Sequence, residues 1–179
     1  MNTRRQFAST LMGFSLATRA HSQGRPVPSL NSTETDRLLF MREEEKMAHD
    51  VYVFADEKWN LRIFRNIAQS ETTHFNQVGS LLTRYGIADP SSAKLPGEFV
   101  NPQLTTLYLD LTAKSALSLK DALEAGIIIE KVDIQDLEDG LVETKQTDIK
   151  RVYTNLMNAS YSHLDAFEET LELLASVKN

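Results

Sequence analysis

The sequence predicts an all-α protein that folds as a four-helix bundle. In four long stretches the apolar residues recur every three to four positions, which is the period of an amphipathic helix. Strand signals are weak throughout, and the connection between the second and third stretches contains Pro90, Pro96 and Pro102. Two helical hairpins with short turns, joined by one long crossover, are therefore expected.

The ends of the helices are predicted from their capping residues. Asn60 interrupts the first hairpin, and Gly86 is a typical residue for the end of the second helix. Ser118 and Asp121 form a capping box that opens the helix after the crossover. The predicted helices, of which the third is a short extra helix within the crossover, span residues 35–58, 61–85, 104–113, 118–142 and 148–177.

The N-terminus has the pattern of an export signal. Arg4 and Arg5 precede a short apolar run over residues 7–17, as in the twin-arginine signals that direct folded proteins to the periplasm or out of the cell. Arg19, close to the expected cleavage position, favours the alternative of a basic N-terminus in a cytoplasmic protein. The predicted signal, linker and bundle domain span residues 1–20, 21–33 and 34–179.

Composition excludes several classes of function. The 179 residues carry a net charge of −6, which argues against nucleic acid or an anionic membrane surface as a partner. The apolar run of the signal is too short to span a bilayer, so no membrane contact is expected for the mature chain. The sequence has no cysteine, which rules out disulfides, thiol catalysis, zinc ribbons and iron–sulfur clusters.

Glu71 and His74 are the first indication of a metal site. Residues three apart share one face of a helix, so this carboxylate and this imidazole can bind the same ion. His163 lies on the last helix at a matching height, counted from the turns of the two hairpins at about 1.5 Å per residue. Helical metalloproteins build di-iron and di-manganese sites from such pairs.

Polar residues interrupt the apolar stripe of every long helix at this height. Buried carboxylates are costly unless cations compensate their charge, and carboxylate and imidazole ligands suit iron and manganese. Glu44 and Glu45 belong to neighbouring stripes of the first helix, and either or both can serve. The candidate ligands of a dinuclear iron or manganese site are Glu44, Glu45, Glu71, His74, Glu130, Asp133 and His163.

Three segments resemble the ferritin-like superfamily, most closely its rubrerythrin-related branch and an uncharacterised bacterial and archaeal family of that fold. They are residues 40–52 (FMREEEKMAHDVY), 59–64 (WNLRIF) and 67–74 (IAQSETTH), within a similarity over about residues 38–167. The resemblance implies a ferritin-like four-helix bundle that binds two irons through Glu, Glu-x-x-His, Glu and Glu-x-x-His on successive long helices. Here that pattern falls on Glu44 or Glu45, Glu71, His74, Glu130 and His163.

One ligand of the implied pattern is missing. The resemblance requires a Glu at the position of Ser160. Asp133 follows Glu130 by three residues, where rubrerythrin-like proteins carry an extra carboxylate that could replace the missing one. Its neighbours equally give Asp133 the character of a helix N-cap. A mononuclear or empty site is therefore an open alternative to a dinuclear site.

Other polar residues have simpler interpretations. His49 follows Glu45 by four residues, so the two are predicted to form a solvated pair on the helix surface. Tyr52, Tyr153 and Tyr161 are expected to be packing residues, although a tyrosine of a bundle close to iron can also donate hydrogen bonds.

The leading functional hypothesis is a periplasmic metal-binding protein that oxidises ferrous iron or reduces peroxide or oxygen, as the resemblance implies. Because the chain has no cysteine, its electrons must come from an external donor or from iron itself. The alternative is a non-catalytic bundle for binding or assembly with a degenerate or empty metal site. A third hypothesis, a storage subunit, requires a homo-oligomeric cage.

Overall fold

The computed structural model describes residues 27–177, and all regular structure in that range is helical. The all-α prediction is therefore confirmed. The predicted export signal, and the linker up to residue 26, lie outside the described residues. No helix of the described range is both long enough and apolar enough to cross a bilayer. The helices are α1 (Ser32–Trp59), α2 (Arg62–Tyr85), α3 (Pro102–Ser115), α4 (Leu119–Glu143) and α5 (Thr147–Ser176).

Helix α1 begins three residues earlier than the sequence predicts, because Asn31 and Glu34 form a capping box. The Asn31 side chain accepts a hydrogen bond from the Glu34 amide at 2.9 Å, and the Glu34 carboxylate accepts one from the Asn31 amide at 3.0 Å. Glu34 also accepts a bond from the Thr144 hydroxyl at 2.8 Å, which fixes the start of α1 to the α4–α5 turn. The predicted linker was wrong in its last two residues.

The other helix ends follow the capping residues. Asn60 and Gly86 adopt left-handed conformations with φ of 48° and 67°, which end α1 and α2 as predicted. Ser118 caps α4 by accepting a hydrogen bond from the Asp121 amide at 3.0 Å. The short crossover helix α3 is longer than predicted at both ends, because Asn101 caps it and Pro102 occupies its first turn.

Acidic side chains of α1 hold the irregular part of the crossover. The Glu43 carboxylate accepts hydrogen bonds from the amides of Val100 and Asn101 at 2.6 and 2.8 Å. Asp50 accepts one from the Gly97 amide at 2.9 Å. These backbone amides have no hydrogen-bond partner within a helix. The carboxylates of Glu43 and Asp50 accept their hydrogen bonds, which explains why the two acidic side chains are buried.

The four long helices enclose two apolar clusters with a polar layer between them. Helix α1 packs against α2 and α4 against α5, while contacts of α1 with α4 and of α2 with α5 close the bundle. One cluster includes Tyr52, Phe64 and Phe167, and the other includes Leu38 and Tyr153. The predicted ligands lie on the turns between these clusters, so water is excluded from above and below them.

Gly126 allows α4 to approach the aromatic residue of α5 that lies directly beneath the polar layer. A Cβ atom at this position would lie 2.7 Å from the ring of Phe167, closer than carbon atoms can approach. Phe167 in turn packs against Tyr52 and Phe64, with ring centroids 5.3 and 5.8 Å apart. The close approach of α4 and α5 therefore sets the position of the aromatic residues beneath the site.

Substitution Gly126→Ala is expected to lower the free energy of unfolding by about 1–3 kcal/mol, because the methyl group overpacks the core against Phe167. Urea denaturation measures the change. Gly79→Ala is the matched control, since the nearest atoms to its Cβ would be those of the guanidinium group at the end of the Arg42 side chain rather than an aromatic ring. Equal losses in both variants would contradict the assigned role of Gly126.

Candidate metal centre

The polar layer collects the seven predicted ligands from all four long helices. Six of them are buried, with exposed fractions between 1 and 6%. The side chain of His163 is 12% exposed and lies at the edge of the layer. The residues are Glu44 and Glu45 on α1, Glu71 and His74 on α2, Glu130 and Asp133 on α4, and His163 on α5.

Glu71 lies between the two histidines and offers one oxygen to each. Its Oε2 is 2.7 Å from Nδ1 of His74, and its Oε1 is 2.9 Å from Nδ1 of His163. The two imidazole rings are stacked with centroids 5.7 Å apart. A carboxylate in this position has the geometry of a bridge between two neighbouring cation sites.

A second carboxylate faces each histidine from the other helix of the same hairpin. Glu45 Oε2 lies 3.4 Å from Nδ1 of His74, and Glu130 Oε2 lies 3.5 Å from Nδ1 of His163. In each group of three residues the ligand atoms lie within 4.8 Å of one another. Adjacent ligands of an octahedral ion with bonds near 2.1 Å are about 3 Å apart, so both groups have suitable dimensions.

Electrostatics divide the layer into charged and neutral groups. Burial disfavours the charge of Glu71, but hydrogen bonds and charges from the two imidazoles outweigh it and lower its pKa to about 2. Burial likewise opposes the charge of the imidazoles, yet the facing carboxylates raise the pKa of His74 to about 11 and that of His163 to about 9. Burial raises the pKa of Glu130 to about 7.

Asp133 lies opposite Ser160, the position at which the resemblance requires a Glu. The Ser160 hydroxyl donates a hydrogen bond to Asp133 Oδ2 at 2.5 Å, while Oδ1 is buried without a hydrogen-bond partner. Burial, and then the charge of Glu130, raises the pKa of Asp133 to about 8. The N-cap interpretation of Asp133 was wrong, because the residue lies in the middle of α4.

The two adjacent glutamates of α1 have different neighbours. Glu45 faces His74, whereas Glu44 belongs to neither group of three and lies beside Asp133 and Asp136. Burial, followed by these acidic neighbours, raises the pKa of Glu44 well above its usual range.

The predicted pair between His49 and Glu45 was wrong, since His49 Nδ1 contacts Asp50 at 3.0 Å while Glu45 points inward.

The sequence did not identify the polar role of Tyr52. This tyrosine is fully buried, and its hydroxyl donates a hydrogen bond to Glu130 Oε1 at 2.5 Å. Its position two turns after Glu45 on α1 was the available signal, since residues seven apart share a helix face. Ser70 Oγ lies 3.4 Å from Nε2 of His74, on the outer side of the imidazole. Both contacts orient a candidate ligand.

The donor set fits a pair of divalent cations. One oxygen each of Glu45 and Asp133 is buried without a hydrogen bond and is therefore available as a ligand. Carboxylate oxygen and imidazole nitrogen are donors that iron and manganese accept. With neutral imidazoles, the four negative charges of Glu45, Glu71, Glu130 and Asp133 balance two divalent ions, which removes the cost of burying them.

The chain is similar in sequence to a protein family, and in sequence and structure to a protein whose crystal structure is known. The family described as "Uncharacterized protein domain (DUF2202)" matches residues 34–177. "Uncharacterized protein MJ0754" of Methanocaldococcus jannaschii is 45% identical over 146 residues, which are 82% of this chain and 79% of that protein. The crystal structure of that hypothetical protein matches with a TM-score of 0.82 and 43% identity, covering 85% of this chain and 87% of the other.

A more distant similarity concerns the fold alone. The crystal structure of a DUF305 fragment from Deinococcus radiodurans matches with a TM-score of 0.64 and 16% identity, covering 81% of this chain and 99% of that one.

Uptake of two divalent ions at pH 7 is expected to release about three protons or more, because metal ligands must be deprotonated. The raised pKa values of His74 (about 11), His163 (about 9) and Asp133 (about 8) mean that these three groups hold protons at pH 7 in the metal-free protein. Affinity should therefore rise about 1,000-fold per pH unit between pH 6 and 7. Calorimetry in buffers of different ionisation enthalpy counts the protons, and binding without proton release would contradict these ionisation states.

Proposed function

The chain belongs to the DUF2202 family, and we propose that this member is a ferritin-like protein that binds two iron or manganese ions between its helices. The observation that carries the proposal is the position of Glu71, whose two oxygens face one histidine each. An isolated Glu-x-x-His pair on a helix surface would not provide a second imidazole for the other oxygen.

Each ion has its own ligands under this proposal. Glu45 and His74 would hold one ion, Glu130 and His163 would hold the other, and Glu71, which belongs to both groups, would contribute to each. Asp133, oriented by the hydroxyl of Ser160, would supply the fourth carboxylate, which the ferritin-like pattern expects from the last helix.

A ferritin-like arrangement is supported by the order of the helices and by the contacts between them. Two hairpins, α1–α2 and α4–α5, are joined by a crossover that contains α3, and contacts of α1 with α4 and of α2 with α5 complete the bundle. One ligand position on each long helix then faces the centre at the same height.

The reaction class that follows is electron transfer between the metal pair and a small oxidant. When bound, iron or manganese ions would supply the electrons that reduce oxygen or peroxide and would themselves be oxidised. The chain's own residues bind and orient the ions, exclude water through the two apolar clusters, and hold Glu130 in place through Tyr52. Repeated turnover would require electrons from an external donor. We propose that the protein is located in the periplasm.

A metal-free bundle is the second candidate, and the ion pairs of the layer favour it. Glu71 already contacts two imidazoles with raised pKa values, so these charges compensate one another in part without any ion. The presence of Ser160 where the ferritin-like pattern has a carboxylate also favours a metal-free bundle. Under this alternative the layer specifies the packing of the helices, and the protein serves binding or assembly.

Metal analysis after anaerobic reconstitution with ferrous iron or Mn²⁺ is expected to give about two ions per chain, as in other paired carboxylate sites. Glu71→Gln should reduce this to about one ion or less, because it removes the only carboxylate shared by both groups. Peroxide added to the iron-loaded protein should be consumed at about one molecule per pair of ferrous ions, since peroxide accepts two electrons.

The control is Glu57→Gln, which makes the same change at an exposed position of α1. Fewer than about 0.2 ions per wild-type chain would establish the metal-free alternative. Unchanged metal content in Glu71→Gln would show that ions bind elsewhere.

Asp133→Asn is expected to weaken the second ion about 10-fold or more and to leave the first bound, because one of the four carboxylates is lost while Glu71, which both groups share, remains. Titration with Mn²⁺ monitored by electron paramagnetic resonance separates the two steps. Asp139→Asn is the matched control on the exposed face of the same helix. Identical titrations for both variants would assign Asp133 a structural role only.

A further inference from the structure

Glu44 is buried beside the proposed metal pair but belongs to neither ligand group. It is 1% exposed, and neither of its carboxylate oxygens receives a hydrogen bond. A buried carboxylate without a donor costs free energy unless a proton or a cation compensates it. Glutamine or leucine would fill the same space at lower cost, so the position calls for a role that requires a carboxylate.

The neighbours of Glu44 form a row of carboxylates that leads to the surface. Asp133, at the metal pair, and Asp136, one turn further along α4, are the acidic groups that act on it most strongly. Asp133 is buried, whereas the side chain of Asp136 is 24% exposed. Glu44 therefore lies between a proposed metal ligand and a carboxylate that solvent reaches.

The outer end of this row opens into an acidic cleft of about 430 Å³. Asp136 lines it together with Asp36, Arg37 and Glu143. Arg37 donates one hydrogen bond to Asp136 at 2.9 Å and two to Glu143 at 2.9 and 3.0 Å. Because Glu143 alone holds Arg37 through two hydrogen bonds, Arg37 does not depend on Asp136 for its position. Three carboxylates against one guanidinium leave the cleft attractive to cations.

We propose that Glu44 and Asp136 conduct divalent metal ions from this cleft to the metal pair. The proposal rests on the proposed function, since it requires a destination for the ions. Above and below the layer the path is closed by apolar clusters whose members, such as Leu38 and Phe167, have no exposed surface. The row offers carboxylate oxygens at each step between solvent and Asp133.

The small number of ligands that Glu44 and Asp136 offer suits passage of an ion better than its retention. Within residues 27–177, three ligand atoms converge within 4.8 Å only in the two groups that share Glu71. Glu44 and Asp136 bring fewer ligands to one point, so an ion there is held weakly and moves on to the stronger site.

The test is the rate at which the metal-free full-length chain takes up Co²⁺, followed by stopped-flow absorbance. Glu44→Gln and Asp136→Asn should slow uptake about tenfold or more, because a cleft lined by one sign of charge raises on-rates by 10–10³. The final content should remain the same as in the wild type, since neither residue belongs to a ligand group. Asp139→Asn, exposed on the same helix, should load at the wild-type rate.

The outcomes separate this inference from the proposed function. A wild-type chain that takes up no metal overturns both. A wild-type chain that loads fully, with both variants loading equally fast, overturns the route alone and places access elsewhere, at the partly exposed edge near His163. A lower final content in Glu44→Gln makes Glu44 a ligand and overturns its role in transfer. Asp136→Asn, at a partly exposed position, decides the question should Glu44→Gln fail to fold.

Discussion

The carboxylate of Glu71, shared between the imidazoles of His74 and His163, is the contact on which the rest of the polar layer depends. It connects α2 with α5, helices that belong to different hairpins. Glu45 and Glu130 approach the same imidazoles from α1 and α4, so the four long helices meet at one buried group of charges. The apolar clusters on either side keep water away, which strengthens every electrostatic interaction within the layer. The geometry that suits two cations and the packing of the bundle are thus one arrangement.

The position of Asp133 opposite Ser160 keeps a carboxylate at this height of the polar layer. The resemblance expects a Glu on α5 where the chain has Ser160, and Asp133 on α4 lies within hydrogen-bond distance of that serine. The Ser160 hydroxyl donates a hydrogen bond to one oxygen of Asp133, while the other oxygen has no hydrogen-bond partner. A carboxylate on α4 in place of one on α5 would preserve the charge that the proposed pair of divalent ions requires.

Periodicity identified the helices and three central residues of the layer, but it did not separate the roles of Glu44 and Glu45. Apolar spacing works where a helix has one buried face, and it placed Glu71, His74 and His163 correctly on α2 and α5. Helix α1 is buried almost all round between residues 41 and 52, because the crossover covers the side that the other helices leave open. Neighbouring residues on such a helix are equally buried, so only the partner across the contact distinguishes them. For the same reason the sequence did not reveal that Tyr52 donates a hydrogen bond to Glu130.

The run of five charged residues on α1 shows how closely the fold and the site are combined. Successive side chains of an α-helix point about 100° apart, so the run addresses every side of the helix. Glu45 faces the histidines and Glu44 faces the acidic row, while the other three hold the crossover against the bundle. Those three are Arg42 through Asp89, Glu43 through the amides of Val100 and Asn101, and Lys46 through Asp50 and the Leu95 carbonyl. A charge placed one residue away would face the wrong partner, so each position of this segment is tied either to the polar layer or to the crossover.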